Sequence, residues 1–124
     1  MAVRRSTVKL TATFEANLAA IEKFPMHGEQ SGAFDRLLGE LADHVIPNLE
    51  RFPTMGRRFP DDPPGSVEAR NAWDRLRERF GKPDIREYVA GDFVILYALR
   101  DRVVFLLAVK HHRQLTYALA DPGR

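Results

Sequence analysis

Residues 85–117, IREYVAGDFVILYALRDRVVFLLAVKHHRQLTY, decide how this chain folds. Ile85, Glu87 and Val89 alternate with Arg86, Tyr88 and Ala90, and Gly91-Asp92 then supplies a turn. Phe93 to Leu99 is apolar without a break, Arg100-Asp101-Arg102 turns the chain again, and Val103 to Val109 is apolar throughout. Two hairpins in succession make a meander. Runs that do not alternate are covered on both faces, so 93–99 and 103–109 are expected as the central strands, with a helix layer on one side and some other cover on the opposite one.

The residues upstream supply that cover. Val8, Leu10 and Ala12 alternate with Lys9, Thr11 and Thr13, which predicts a first strand with one buried face. Thr13 is the expected cap of a helix in which Phe14, Leu18, Ile21 and Phe24 share a side, and Pro25 ends it. PMHGEQSG reads as a loop. From about Gln30, Phe34, Leu37, Leu38, Leu41, Val45 and Leu49 form an apolar stripe, and a kink or restart is expected at Pro47 because proline cannot donate to residue 43. Phe52 to Gly65 is rich in proline and glycine and reads as a long loop. Ser66 then caps a third expected helix, with Ala69, Ala72, Trp73, Leu76 and Phe80 on one face, a charge-mixed solvated face opposite, and Gly81 with Pro83 as its stop. The expected architecture is one α+β domain over residues 1–124. Its antiparallel sheet, made of the N-terminal strand and the C-terminal three-strand meander, is covered by a helical hairpin, with an extra helix near 66–80.

Composition removes several functions. With no cysteine, disulfides, zinc-thiolate sites and cysteine nucleophiles are excluded. No apolar run approaches the about 20 residues of a spanning helix, and MAVRRSTVKL lacks the apolar core of a signal peptide, so a soluble cytoplasmic protein is expected, with no membrane contact. The net charge of +2 is too small to mark a nucleic-acid binder. There is no GxGxxG, GxxxxGK[ST], HExxH or GxSxG, and His27, His44, His111 and His112 lack metal-ligand spacing, so neither cofactor nor metal is expected. His111 and His112, being adjacent, are expected on opposite sides of a strand.

Lys110 to Tyr117, KHHRQLTY, concentrates two imidazoles, an arginine, a lysine and a phenol, and Arg86 of the first meander strand can lie beside it. Such a set suits metal-free RNA cleavage, in which a base takes the 2′-hydroxyl proton, a cation stabilises the phosphate and an acid protonates the leaving oxygen. On this reading Arg86, His112, Arg113 and Tyr117 are the catalytic candidates. A plain reading fits equally well: Lys110, His112 and Arg113 as edge residues and Tyr117 packing its ring. Arg51, Arg57 and Arg58 lie in RFPTMGRRF, a segment without an acid, and with Lys110 are candidates to contact RNA or a protein partner. Alternatively the arginine pair is solvated, or clasps an acid such as Asp61 or Asp62. Glu50 and Glu87 are possible carboxylate bases.

IREYVAGDFVILYALRDRVVFLLAVKHHRQL resembles the C-terminal meander of RelE/ParE-type toxins of bacterial type II toxin-antitoxin modules, in which a strand ending R-x-Y leads to a G-D-[FY]-x-[IVL]-L-Y hairpin and a basic end. IPNLERFPTMGRRF, Ile46 to Phe59, is similar to a segment that follows the second helix in that family, while 59–82 exceeds what its smallest members carry. The resemblance implies a partly disordered antitoxin as partner in a toxin-antitoxin hetero-oligomer, docked on the apolar stripes of the helical hairpin and on the basic Arg51, Arg57 and Arg58. It also implies one of two targets: mRNA on the ribosome, cleaved by the RelE-like branch, or DNA gyrase, inhibited without cleavage by the ParE-like branch. The RelE-like branch carries an arginine where this chain has Val94. A ribosome-dependent, metal-independent mRNA endonuclease is the first expectation, a gyrase inhibitor the alternative, and a weakened toxin serving mainly as a partner of antitoxin and DNA a third.

Overall fold

Helices on both faces cover one sheet. The computed structural model describes residues 5–23, 32–59, 67–81, 83–114 and 117–119. In chain order these form β1 (Thr7–Leu10), α1 (Ala12–Lys23), α2 (Ala33–Glu40), a π-helical turn (Leu41–Val45), α3 (Ile46–Arg51), β2 (Arg57–Arg58), α4 (Val67–Arg79), β3 (Asp84–Ala90), β4 (Phe93–Arg100) and β5 (Val103–His111). The sheet order is β1-β5-β4-β3-β2.

The meander is present as expected. Gly91 takes φ +60° in the first hairpin, and Asp101 and Arg102 take φ +50° and +66° in the second. Two-residue hairpin loops need such left-handed residues to follow the twist of their strands, which is why both non-glycine residues accept them here. β3, β4 and β5 pair antiparallel, but β1 pairs with β5 in parallel, Thr7 opposite Val103, so the sheet is mixed. Alternation along β1 carries no information about the direction of its neighbour, and of the expected buried face only Val8 is half-buried, Leu10 being 40% exposed. A bulge beside Leu96 and Tyr97 shifts the β4–β5 register.

One sheet face is covered by α1, α2, the π turn and α3. Phe14, Leu37, Leu41, Val45 and Leu49 pack there on Phe93, Ile95, Tyr97, Val104 and Leu106. Each fully buried apolar side chain of this kind is worth roughly 1.5–3 kcal/mol. Leu37, Leu41, Val45 and Leu49 recur every fourth residue, a spacing that drifts about 40° per step around an ordinary α-helix. The π turn is wider, and Ile46 donates its N–H five residues back, to Leu41 O. This keeps the stripe on the sheet. It also answers the expected break at Pro47: the backbone stays right-handed through Val45 and Ile46, and the wider turn sits just ahead of the residue that has no N–H to give. Leu38, expected in the stripe, is 40% exposed.

The first helix starts earlier than expected. Thr11, not Thr13, caps α1: its Oγ1 accepts from Phe14 N–H at 3.2 Å and donates to Leu106 O at 2.8 Å, joining the helix start to β5. The opposite sheet face is covered by α4. Trp73 and Phe80 are buried with Ile85, Leu96, Ala98 and Leu107, and Phe80 lies 5.0 Å from the Phe105 ring. Gly81, at φ +67°, follows the helix end as expected. The expected Ser66 cap, the loop around His27 and Pro25, the start of the second helix near Gln30, Asp61, Asp62 and most of the proline-rich stretch to Gly65 lie outside the described residues. Within that stretch, Arg57 and Arg58 are not loop: they form β2 and pair with Glu87 and Arg86 of β3.

Candidate functional site

The residues singled out in the sequence fall into three settings, the second and third of which share Lys110. The first lies on the helical face of the sheet, at β2. Here Phe52 to Met55 closes a turn in which Met55 N–H donates to Phe52 O at 3.1 Å, with Pro53 in the position that presets φ. Two side chains from the sheet hold it. The Tyr97 hydroxyl accepts from Gly56 N–H at 2.9 Å and donates to Pro53 O at 2.8 Å. Arg86 Nη1 donates to Thr54 O and Gly56 O, both at 2.9 Å, while its Nε donates to Asp84 at 3.0 Å. Gly56 must be glycine, since a Cβ would stand 2.6 Å from Glu87 O and from the Tyr97 hydroxyl. Burial raises the pKa of Tyr97, more than the Gly56 hydrogen bond lowers it, so the phenol stays protonated and can donate.

Alternation along β3 sends the next residue to the other face, and the second setting forms there around Glu87. Its carboxylate accepts from Arg57 Nη2 at 2.8 Å and from the Tyr117 hydroxyl at 2.6 Å. The Tyr117 ring meets Phe59 edge-on at 6.0 Å, and the Lys110 ammonium stands 5.2 Å from its centroid. Burial, then the hydrogen bond to the Glu87 carboxylate, pushes the Tyr117 phenol far above its ordinary range. The same carboxylate raises the pKa of Arg57. The cluster therefore joins four residues named from sequence: Glu87 holds Arg57 and Tyr117, and Lys110 stands over the Tyr117 ring. Arg58 lies on the other face, its Nε 3.9 Å from Asp84. Glu50 reaches neither place; its carbonyl accepts from Ser6 N–H at 2.9 Å.

The third setting is the exit of β5. His112 N–H donates to Asp92 O at 2.8 Å, and its Nδ1 lies 3.0 Å from the same oxygen. His111 faces Phe93, ring to ring at 5.5 Å, and its pKa is lowered by burial and then by the neighbouring His112. The two imidazoles are not on opposite sides: their centroids are 4.4 Å apart. Side chains alternate only while the chain is extended, and β5 ends at His111. Gln114 closes the turn, accepting from Lys110 Nζ at 2.7 Å and from His111 N–H at 2.9 Å. Arg113 is exposed there.

Tyr97, Gly56, Phe52 and Met55 were not among the site residues expected from sequence. The available signal was a single tyrosine within an apolar run, since a buried phenol requires hydrogen-bond partners and so predicts a loop folded against it. Among the described residues, no three His, Cys, Asp or Glu side chains converge in a way that could hold a metal ion. No helix among them is long and apolar enough to cross a membrane.

The family model described as ParE toxin of type II toxin-antitoxin system, parDE, matches residues 8–116. The chain belongs to that family. No curated protein matches it. The match takes in the meander, the Phe52–Met55 turn and both histidines of the β5 exit, and stops one residue short of Tyr117. As a member of this family the chain is a toxin of a type II module, and an antitoxin is its implied partner. The helical stripe expected to receive that antitoxin is occupied by the toxin's own sheet: Leu37, Leu41, Val45 and Leu49 are all buried.

Proposed function

We propose that this toxin arrests growth by binding and inhibiting DNA gyrase, without cleaving RNA. The observation that supports this reading most is how the candidate catalytic groups are already engaged. Metal-free RNA cleavage needs a base, a cation and an acid converging on one phosphate, each within about 3 Å of the atom it serves. Arg86 instead directs its guanidinium to two backbone carbonyls and Asp84. Tyr117 donates its hydroxyl to Glu87 in a hydrogen bond that strengthens its hold on its proton, which makes a poor general acid. Val94 stands opposite Lys110 in the β4–β5 ladder, with no cation of its own for a phosphate. His112 and Arg113 are exposed at the turn that follows β5, with the imidazole of His112 at Asp92 O. A binding inhibitor requires none of these groups to be free.

Purified toxin added to gyrase and relaxed plasmid should block supercoiling, while mRNA in a translating extract stays intact. The opposite pair of results, cleaved mRNA and normal supercoiling, would sink the proposal. Loss of that cleavage on replacing His112, Arg113 and Tyr117 together would then establish the ribosome-dependent endonuclease in its place.

A further inference from the structure

We infer that the Phe52–Met55 turn is the knuckle by which the toxin engages its target, entering an apolar pocket rimmed by carboxylates on a folded protein. The inference rests on the gyrase reading above and names the contact that reading requires.

The turn is unusual in what it displays and in how firmly it is held. Phe52 is 61% and Met55 49% exposed, and they are the first and last residues of one β-turn, whose Cα atoms lie within about 7 Å of each other. Two large apolar side chains thus stand together in solvent. Exposed apolar residues on a loose turn would cost ordering on binding. This turn is held: the Tyr97 hydroxyl takes Pro53 O and Gly56 N–H, and Arg86 takes Thr54 O and Gly56 O. A fully buried tyrosine and a largely buried arginine are thereby committed to fixing four backbone groups of a surface turn. Holding the backbone removes the ordering cost of binding in advance, which is what pre-organised binding loops do.

Charge indicates the partner. Arg51, Arg57 and Arg58 flank the turn on both sides and all are exposed. Aromatic, methionine and arginine side chains are the types enriched where protein surfaces meet, with the apolar anchor central and charge at the rim. A duplex backbone would satisfy the arginines and leave Phe52 and Met55 in water. A disordered segment that folds on binding suits a groove, whereas a rigid protrusion suits a pocket already formed on a folded partner. Carboxylates at the rim of that pocket would meet Arg51 and Arg58, Arg57 being already paired with Glu87.

The test uses the whole toxin, purified gyrase and a supercoiling assay. Phe52→Ser with Met55→Ser should raise the concentration for half-inhibition at least tenfold while the urea unfolding midpoint is unchanged. Arg51→Glu with Arg58→Glu should do the same through the rim, with a loss that narrows as salt is raised. Leu10→Ser and Leu38→Ser, at exposed apolar positions on other elements, should have no effect. If wild-type toxin inhibits gyrase and both knuckle variants inhibit it within twofold of wild type, the inference is wrong and the gyrase reading stands. If wild-type toxin leaves supercoiling untouched, the gyrase reading itself falls, and this contact with it.

Discussion

Replacing Tyr97 with phenylalanine removes one oxygen and tests the anchoring of the Phe52–Met55 turn directly. The ring is fully buried and keeps its packing, so the change is confined to the hydroxyl. Two hydrogen bonds disappear, to Gly56 N–H at 2.9 Å and to Pro53 O at 2.8 Å. Each contributes about 0.5–1.5 kcal/mol net. Against that, phenylalanine is relieved of burying a hydroxyl, a gain that would nearly cancel the loss if the partners vanished too. They do not. Gly56 is buried and its N–H is left without an acceptor, at a cost of about 1–3 kcal/mol. The unpaired Gly56 N–H sets the size of the effect, a loss of about 1–3 kcal/mol, or roughly 5–10 °C in Tm for a domain of this size. Urea unfolding should show the midpoint falling with the slope unchanged, because the surface exposed on unfolding is the same. A loss below about 0.5 kcal/mol would refute the reasoning, since a turn held through that hydroxyl cannot release it so cheaply.

Gly56→Ala probes the same clamp from the other side. Its Cβ would stand 2.6 Å from Glu87 O, a backbone atom of a paired strand, so the turn must lift from β3, and a destabilisation of about 1–3 kcal/mol is expected by thermal unfolding. Tyr117→Phe tests the Glu87 cluster through pH. The raised pKa means that the folded state keeps a proton that the unfolded chain releases above about pH 10, so stability is complete below that pH and falls as pH rises beyond it. Each such proton contributes a slope of about 1.4 kcal/mol per pH unit. Tyr97 is shifted the same way and contributes its own share, so Tyr117→Phe should flatten the alkaline loss without abolishing it. Denaturant midpoints between about pH 9 and pH 11 check this, and an unchanged slope would mean that Tyr117 does not titrate as its burial requires.

The meander, the helical stripe and α4 were legible in the sequence because each is a local pattern. A period of two, a period near four and the glycines at turns and helix ends all act within a few residues of the cause. So the α+β class, the hairpin positions and the buried face of most elements could be derived from residues alone. The direction of β1 against β5 could not, since alternation is the same for either direction. The width of the helical turn before Pro47 was visible only as an expected irregularity. Its form was decided by the need to keep Leu41, Val45 and Leu49 on the sheet.

The candidate site divides the same way. Sequence reasoning gathered Arg86, His112, Arg113 and Tyr117 by residue type and assigned them to one place. Tertiary structure puts Arg86 and Tyr117 on opposite faces of the sheet and His112 and Arg113 in the turn after β5, because β3 alternates and β5 ends at His111. Residues 85–117 by themselves determined a sheet with two tight hairpins and a basic exit. Only the fold decided that Arg86 and Tyr97 reach across to residues 53–56, between 30 and 44 positions earlier, and that Tyr117 returns to Glu87. The physical reason is that a polar group's role depends on what the fold brings within about 3 Å of it, and for these side chains the partners lie far away in sequence.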